Sequence, residues 1–127
     1  MTRILVIDDD DAVRRTTRRI LERDGYEVLE ASDGEAGLKL LAKSGADLVI
    51  TDIFMPGQDG IVTIRRMRKE FRGVKVIAVS GGDSTGRFDL RREAELLGAA
   101  ATLRKPFPAA DLRRVVRETL ELDSDTP

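Results

Sequence analysis

The sequence contains no cysteine, no histidine and no tryptophan. Without cysteine there is no disulfide, no thiol nucleophile and no thiolate metal site. Without histidine, the commonest general base and the commonest transition-metal ligand are both missing. Serine triads, zinc hydrolases and phosphohistidine carriers are therefore excluded or disfavoured. The nucleophiles left are Asp, Glu, Ser, Thr, Lys and Tyr. Any metal would be held by oxygen, which favours Mg, Ca or Mn. No apolar run approaches the ~20 residues that a membrane span needs, and the opening MTRILVIDDD is too short and too soon acidic for a secretory signal. A surplus of charge of one sign is missing too: 22 Lys plus Arg against 23 Asp plus Glu leave a net −1. That balance gives no global reason to bind nucleic acid or an anionic membrane. The expected location is cytoplasmic, with which the lack of cysteine is compatible.

What is present is one domain's worth of chain, 127 residues, 41% hydrophobic and 35% charged. Such a length buries a core without covalent staples. The runs Ile4–Ile7, Leu48–Ile50 and Val74–Val79 are continuous, apolar and rich in β-branched residues, as strands buried on both faces are. Tyr26–Leu29 and Ala99–Leu103 are weaker strand signals. Between them run helical patterns: Val13, Thr17, Ile20 and Leu21; Ala36, Leu40 and Leu41, stopped by Ser44-Gly45; Ile61, Ile64, Met67 and Phe71, stopped near Gly73; Leu90, Ala94 and Leu97, stopped at Gly98; and Leu112, Val115, Val116 and Leu120. Asp10 or Asp11 is placed to cap the first helix. Strand and helix alternate five times, which predicts an α/β fold: a five-stranded parallel sheet with helices on both faces. Residues 1–122 form the expected domain and 123–127 a short flexible tail.

Ligands of an open α/β sheet gather beyond the carboxyl ends of its strands. There this sequence places Asp8 and Asp9 after strand 1, Asp52 at the end of strand 3, Ser80 at the end of strand 4 and Lys105 just after strand 5. Each has an ordinary reading by itself: a helix cap, a turn opener, a loop serine, a solvated lysine. Together at one sheet edge they make a pocket of carboxylates, a hydroxyl and an ammonium. Converging carboxylates need a cation or protons to coexist, and Mg²⁺ prefers one or two carboxylates, waters and phosphate oxygens. Phosphoryl transfer, mostly positioning and charge neutralisation, is the chemistry such a pocket suits.

The segments ILVIDDD, LVITDIFMPGQDG, VIAVS and LRKPF, in this order and spacing, resemble the receiver domain of bacterial two-component response regulators, of the stand-alone, chemotaxis-regulator-like kind. The resemblance runs from Arg3 to about Leu122. It implies a flavodoxin-like sheet of strand order 2-1-3-4-5. It also implies a signalling switch in which Asp52 accepts a phosphoryl group from the phosphohistidine of a histidine kinase or a histidine phosphotransfer protein. Mg²⁺ would be bound by Asp9, Asp52 and the backbone carbonyl of Phe54, with Asp8 acting mainly through bound water. Lys105 would pair with the acceptor and then with the phosphoryl group, Ser80 would hydrogen-bond that group, and Lys105-Pro106 would be cis. Self-phosphorylation and self-dephosphorylation are the only catalysis implied, so a conventional enzyme is not expected. Output would pass to a downstream protein by contact or further phosphotransfer, with no direct nucleic-acid or membrane binding, from a monomer or weak dimer.

The sequence departs from that pattern in places. Many receivers carry Tyr or Phe three residues before the lysine, where this chain has Thr102. Thr102 is the residue in the position of the usual aromatic switch. The stretch from Ser80 to Lys105 is longer than the family pattern, and Gly81 to Gly86 make it a flexible candidate reporter of phosphorylation. Phe54 and Gly82 occupy the positions that tune attack by water, with opposed effects. Arg14, Arg15, Arg18 and Arg19 read as a solvated face of the first helix, or as a docking face for an acidic partner. Two rivals stand beside the receiver. A Mg-dependent phosphatase would carry a general-acid Asp two residues after its nucleophile, where Phe54 stands, and a cap segment for which 127 residues leave no room. A pseudo-receiver would have lost part of the five-residue site.

Overall fold

The three strong apolar runs form the middle of one parallel sheet because they are apolar on both faces and need cover on both, and the two weaker runs form its edges. A computed structural model describes residues 1–55, 58–81 and 91–122, and the backbone alone of 54, 55, 58 and 59. Its sheet strands are β1 (Arg3–Ile7), β2 (Glu27–Ala31), β3 (Leu48–Asp52), β4 (Lys75–Ser80) and β5 (Ala101–Arg104). They lie in the order β2-β1-β3-β4-β5, all parallel, as expected. The helices are α1 (Asp11–Arg23), α2 (Gly34–Ser44), α3 (Gly60–Glu70), α4 (Arg91–Leu96) and α5 (Ala109–Glu121). A short antiparallel ribbon pairs Phe54–Met55 with Gln58–Asp59.

Two apolar layers sandwich the sheet. On one face Leu38 and Leu41 of α2, Ile64 and Met67 of α3 and Ala94 of α4 pack on Leu5, Ile7, Val49 and Val76. On the other, Leu21 of α1 and Leu112, Val115 and Val116 of α5 pack on Ile4, Val6, Ile50 and Ile77. Burying a side chain such as Leu21 or Leu112 completely contributes about 1.5–3 kcal/mol. The alternation of a strand sends neighbouring residues to opposite layers, so Ile4 and Leu5 part company although both are wholly buried.

Capping follows the sequence closely. Asp10 caps α1, accepting from the N–H groups of Ala12 (3.0 Å) and Val13 (3.1 Å), and Asp33 caps α2 through Ala36 (2.8 Å). Some expected boundaries move. Tyr26 precedes β2, because its N–H closes the end of α1 on the Leu21 carbonyl (3.3 Å). Ala99 precedes β5, because its N–H closes α4 on Ala94 (3.0 Å). In α2 the inward face is centred on Gly37, Leu38 and Leu41, while Leu40 sits at the margin. Gly37 favours this: a Cβ there would lie 2.3 Å from Ile7 Cδ1, so the buried Ile7 side chain would have to shift to admit one. Leu90, Gly82, most of the expected reporter loop, and the 123–127 tail lie outside the described residues.

Candidate functional site

The site follows from strand register. Ile7 pairs with Thr51, so the next residues, Asp8 and Asp52, emerge side by side at the carboxyl edge of β1 and β3. Asp52 itself pairs with Val79, which sets Ser80 one step beyond it on β4. Ser80 pairs with Arg104, and Lys105 follows. The five residues read from the sequence thus come from four adjacent chain ends. Asp8 and Asp52 are each only 5% exposed and Ser80 is wholly buried, whereas Asp9 is exposed.

Backbone hydrogen bonds hold Asp8, Asp52, Ser80 and Lys105 in place. The Asp8 N–H donates to Ala31 of β2 (3.1 Å), and Ile53 N–H, just after Asp52, donates to Val79 (2.8 Å). The Thr51 hydroxyl donates to the Asp52 carbonyl (3.2 Å). Lys105 N–H donates to the Ser80 carbonyl (2.9 Å), and the Lys105–Pro106 peptide is cis. The ribbon that begins at Phe54 closes where Gly60 N–H meets the Ile53 carbonyl (3.1 Å). A Cβ at residue 60 would lie 2.0 Å from that oxygen, which explains the glycine.

Charge at this edge is unequal. Lys105 Nζ lies 2.7 Å from an oxygen of Asp8 and 2.7 Å from one of Asp52. Burial lowers the Lys105 pKa, but the hydrogen bonds and charges of Asp52 and Asp8 outweigh it, and the net direction is upward. Asp8, Asp9 and Asp52 each offer an oxygen within 4.8 Å of the others. Three formal negative charges thus face one ammonium, a surplus of two. The donors are all hard carboxylate oxygens, the set suited to a small divalent cation. The residues present fit Mg²⁺.

Not every expected residue joins the cluster. Thr102 turns toward α4, where its hydroxyl lies 3.4 Å from Glu95. Phe54 contributes backbone beside Asp52. Two contributors, Arg14 and Glu30, are not among the residues the sequence assigns to the site. Arg14, read as part of a solvated face, is half-buried: its Nη1 donates to the Asp8 carbonyl (2.8 Å), Nε to Glu30 (3.0 Å) and Nη2 to Asp11 (2.6 Å). Glu30 also accepts from Arg18 (2.6 Å). The hydrogen bond from Arg18, opposed by desolvation and reinforced by Arg14, holds the Glu30 carboxyl below the usual glutamate value. The sequence signal was there, a glutamate at the end of a strand with arginines across from it, but only the packing of α1 on β2 pairs them.

Comparison with known proteins places these features. A family model of the response regulator receiver domain matches residues 4–117. Sporulation initiation phosphotransferase F of Bacillus subtilis is 31% identical over 123 residues, 97% of each chain. Response regulator MprA of a Mycobacterium species is 36% identical over 122 residues, 96% of this chain, which spans about half the length of that relative (52%). Among solved structures, a CheY-like receiver domain protein from Methanospirillum hungatei superposes with a TM-score of 0.86 at 32% identity, covering 95% of this chain and 94% of the other. The receiver domain of NtrX from Brucella abortus gives 0.87 at 30%, covering 94% and 99%.

Proposed function

Because the chain belongs to the response regulator receiver family, whose role is phosphorylation-dependent signalling between histidine kinases and downstream targets, we propose that Asp52 is its phosphoacceptor. The donor is the phosphohistidine of a histidine kinase or a histidine phosphotransfer protein. In the transfer the Asp52 carboxylate oxygen attacks phosphorus and the P–N bond breaks. The bond pair leaves with the imidazole nitrogen, which is protonated. In the reverse of signalling, water attacks the acyl phosphate, releases inorganic phosphate and restores the carboxylate. The protein turns over no independent substrate.

The observation that carries this reading is the ammonium of Lys105 bridging Asp8 and Asp52 at 2.7 Å each, inside a surplus of carboxylate. Lys105 would exchange one carboxylate contact for a phosphoryl oxygen, and Ser80 would donate to another. Asp9, Asp52 and the Phe54 carbonyl would hold Mg²⁺, with Asp8 acting through water. When bound, the ion supplies charge neutralisation on the phosphoryl oxygens. The phosphatase rival is disfavoured by Phe54 standing where a general acid would be.

Partner choice has a surface to work with. A groove of about 620 Å³ beside Lys105 is lined by Ala12, Val13, Thr16 and Ile20 of α1 and by Pro106 and Phe107. Arg15 and Arg19 on α1 are exposed. An amphipathic helix with acidic flanks, presenting its histidine at the Lys105 end, suits this surface. Relay by further phosphotransfer is favoured by end-to-end similarity to a protein named as a phosphotransferase. The proposed unit is a receiver over residues 1–122, cytoplasmic, monomeric or weakly dimeric, without direct nucleic-acid or membrane contact. Among the described residues no helix is long and apolar enough to cross a membrane.

The test is a mass measurement after incubation with Mg²⁺ and acetyl phosphate. One added phosphoryl group per chain, absent without Mg²⁺ and absent in Asp52→Asn, is the expected result. No adduct on a folded, Mg²⁺-binding protein would favour the pseudo-receiver, and many turnovers of phosphomonoesters would favour the phosphatase.

A further inference from the structure

We infer that Arg14 is a positioning residue for the magnesium ligands, acting through the peptide that joins Asp8 to Asp9; the inference rests on the metal-site reading above. Asp9 is exposed, so packing does not aim its side chain. Its direction is inherited from its backbone. The Asp8 carbonyl belongs to the planar unit that runs through the Asp9 nitrogen to the Asp9 Cα, so fixing that oxygen fixes the rotation of the whole unit. Arg14 Nη1 holds it at 2.8 Å. The Asp8 N–H is tied to Ala31 (3.1 Å), and the Asp8 carboxylate accepts from Asp10 N–H (2.9 Å) and from Lys105 (2.7 Å). Of these four tethers, Arg14 alone grips the Asp8 carbonyl.

Arg14 is built to do this. Its side chain is 12% exposed against 44% for Arg18, one turn further along α1. Its three guanidinium nitrogens each hold a different partner, Nη1 on Asp8, Nε on Glu30 and Nη2 on Asp11, an arrangement that lysine's single nitrogen does not reproduce. Glu30 is gripped from its other side by Arg18, so a strut of Arg18, Glu30 and Arg14 runs from the middle of α1 across the end of β2 to Asp8. Glu30 and Asp11 already match the charge of Arg14. It therefore does not stand in for the metal; it sets where the carboxylates point. Partners that orient metal ligands in this way are worth roughly 10–100-fold in metal affinity.

The test is calorimetric titration of the full chain with Mg²⁺, with circular dichroism to verify folding. Arg14→Gln should bind Mg²⁺ at least about tenfold more weakly than the parent, and Arg14→Lys should fall between them. Phosphorylation by acetyl phosphate in Arg14→Gln should be slow at limiting Mg²⁺ and recover at saturating Mg²⁺, a split that general loosening of the fold would not produce. Arg113→Gln is the control. It removes a two-bonded pair with Asp24 (3.0 and 2.6 Å) joining α5 to the end of α1, and should leave Mg²⁺ affinity unchanged. Parental Mg²⁺ affinity in folded Arg14→Gln would overturn the inference, as would an equal loss in Arg113→Gln. If Arg14→Gln does not fold, Glu30→Gln releases the strut from its far side, and unchanged affinity there is equally fatal. A parent protein that binds no Mg²⁺ defeats the functional reading as well, which separates that failure from failure of Arg14 alone.

Discussion

At the amino-terminal edge of the sheet, charge is matched and close to solvent. Arg3 pairs with Glu27, its N–H donates to Asp47 (2.8 Å), and Lys75 Nζ caps the end of α5 through the carbonyls of Leu120 (3.3 Å) and Leu122. Each of these contacts closes one chain segment on another. At the carboxyl edge, three carboxylates converge, two of them almost fully buried and sharing one lysine. The same backbone supports both edges, since the registers are continuous from end to end. Balanced charge at one edge fastens the fold, whereas unbalanced, desolvated charge at the other opposes it, a pattern expected of a binding edge.

The comparison breaks most visibly at Lys105. Lys105→Met leaves two buried carboxylates without their cation and should lower metal-free stability by about 3 kcal/mol in urea unfolding. Part of that loss should return on adding Mg²⁺. Because the folded pKa of Lys105 is raised above 10.5, its stabilisation is complete below that value and disappears as pH climbs through the folded pKa. The parent and Lys105→Met unfolding curves should therefore converge in strongly alkaline solution.

Magnesium should sharpen the contrast next. At a hundred times its dissociation constant it should stabilise the parent by about 2.7 kcal/mol. Asp9→Asn should abolish most of that gain while raising metal-free stability slightly, because one of three repelling carboxylates is gone. Lys75→Ala, at the opposite edge, should cost about 1 kcal/mol, the worth of a capping hydrogen bond, and should do so equally with and without Mg²⁺. The smallest effect belongs to Arg113→Gln, an exposed pair that salt should screen. Hydrogen bonding by Arg113 lowers the Asp24 pKa below 3.8, so the pair stabilises above that value and the difference from the parent should vanish as pH falls through the folded pKa.

That the site residues would meet at one edge was legible in the sequence, and for a definite reason. Strands buried on both faces are continuous apolar runs, so their ends are sharp, and Asp8, Asp52, Ser80 and Lys105 stand at or beside those ends. The sheet order came with the resemblance, not from periodicity. Residues whose role depends on which neighbour packs against them were harder. Arg14 and Arg15 are adjacent and chemically identical, yet only Arg14 meets β2, and nothing local distinguishes them. Leu40 and Leu38 exchange places as core residues because Gly37 lets α2 sink toward Ile7, a contact between segments 30 positions apart. Thr102 was read from its position alone. Its approach to Glu95 needs α4 laid beside β5.

The bond from Gly60 to Ile53 ties the two ends of the segment after Asp52 together like a drawstring. That bond fixes the neck of the segment, so side-chain substitutions between residues 54 and 59 can be made without moving the backbone of Asp52. A methyl group at residue 60 has no such freedom: it strikes the backbone one residue past Asp52 and slackens the neck itself.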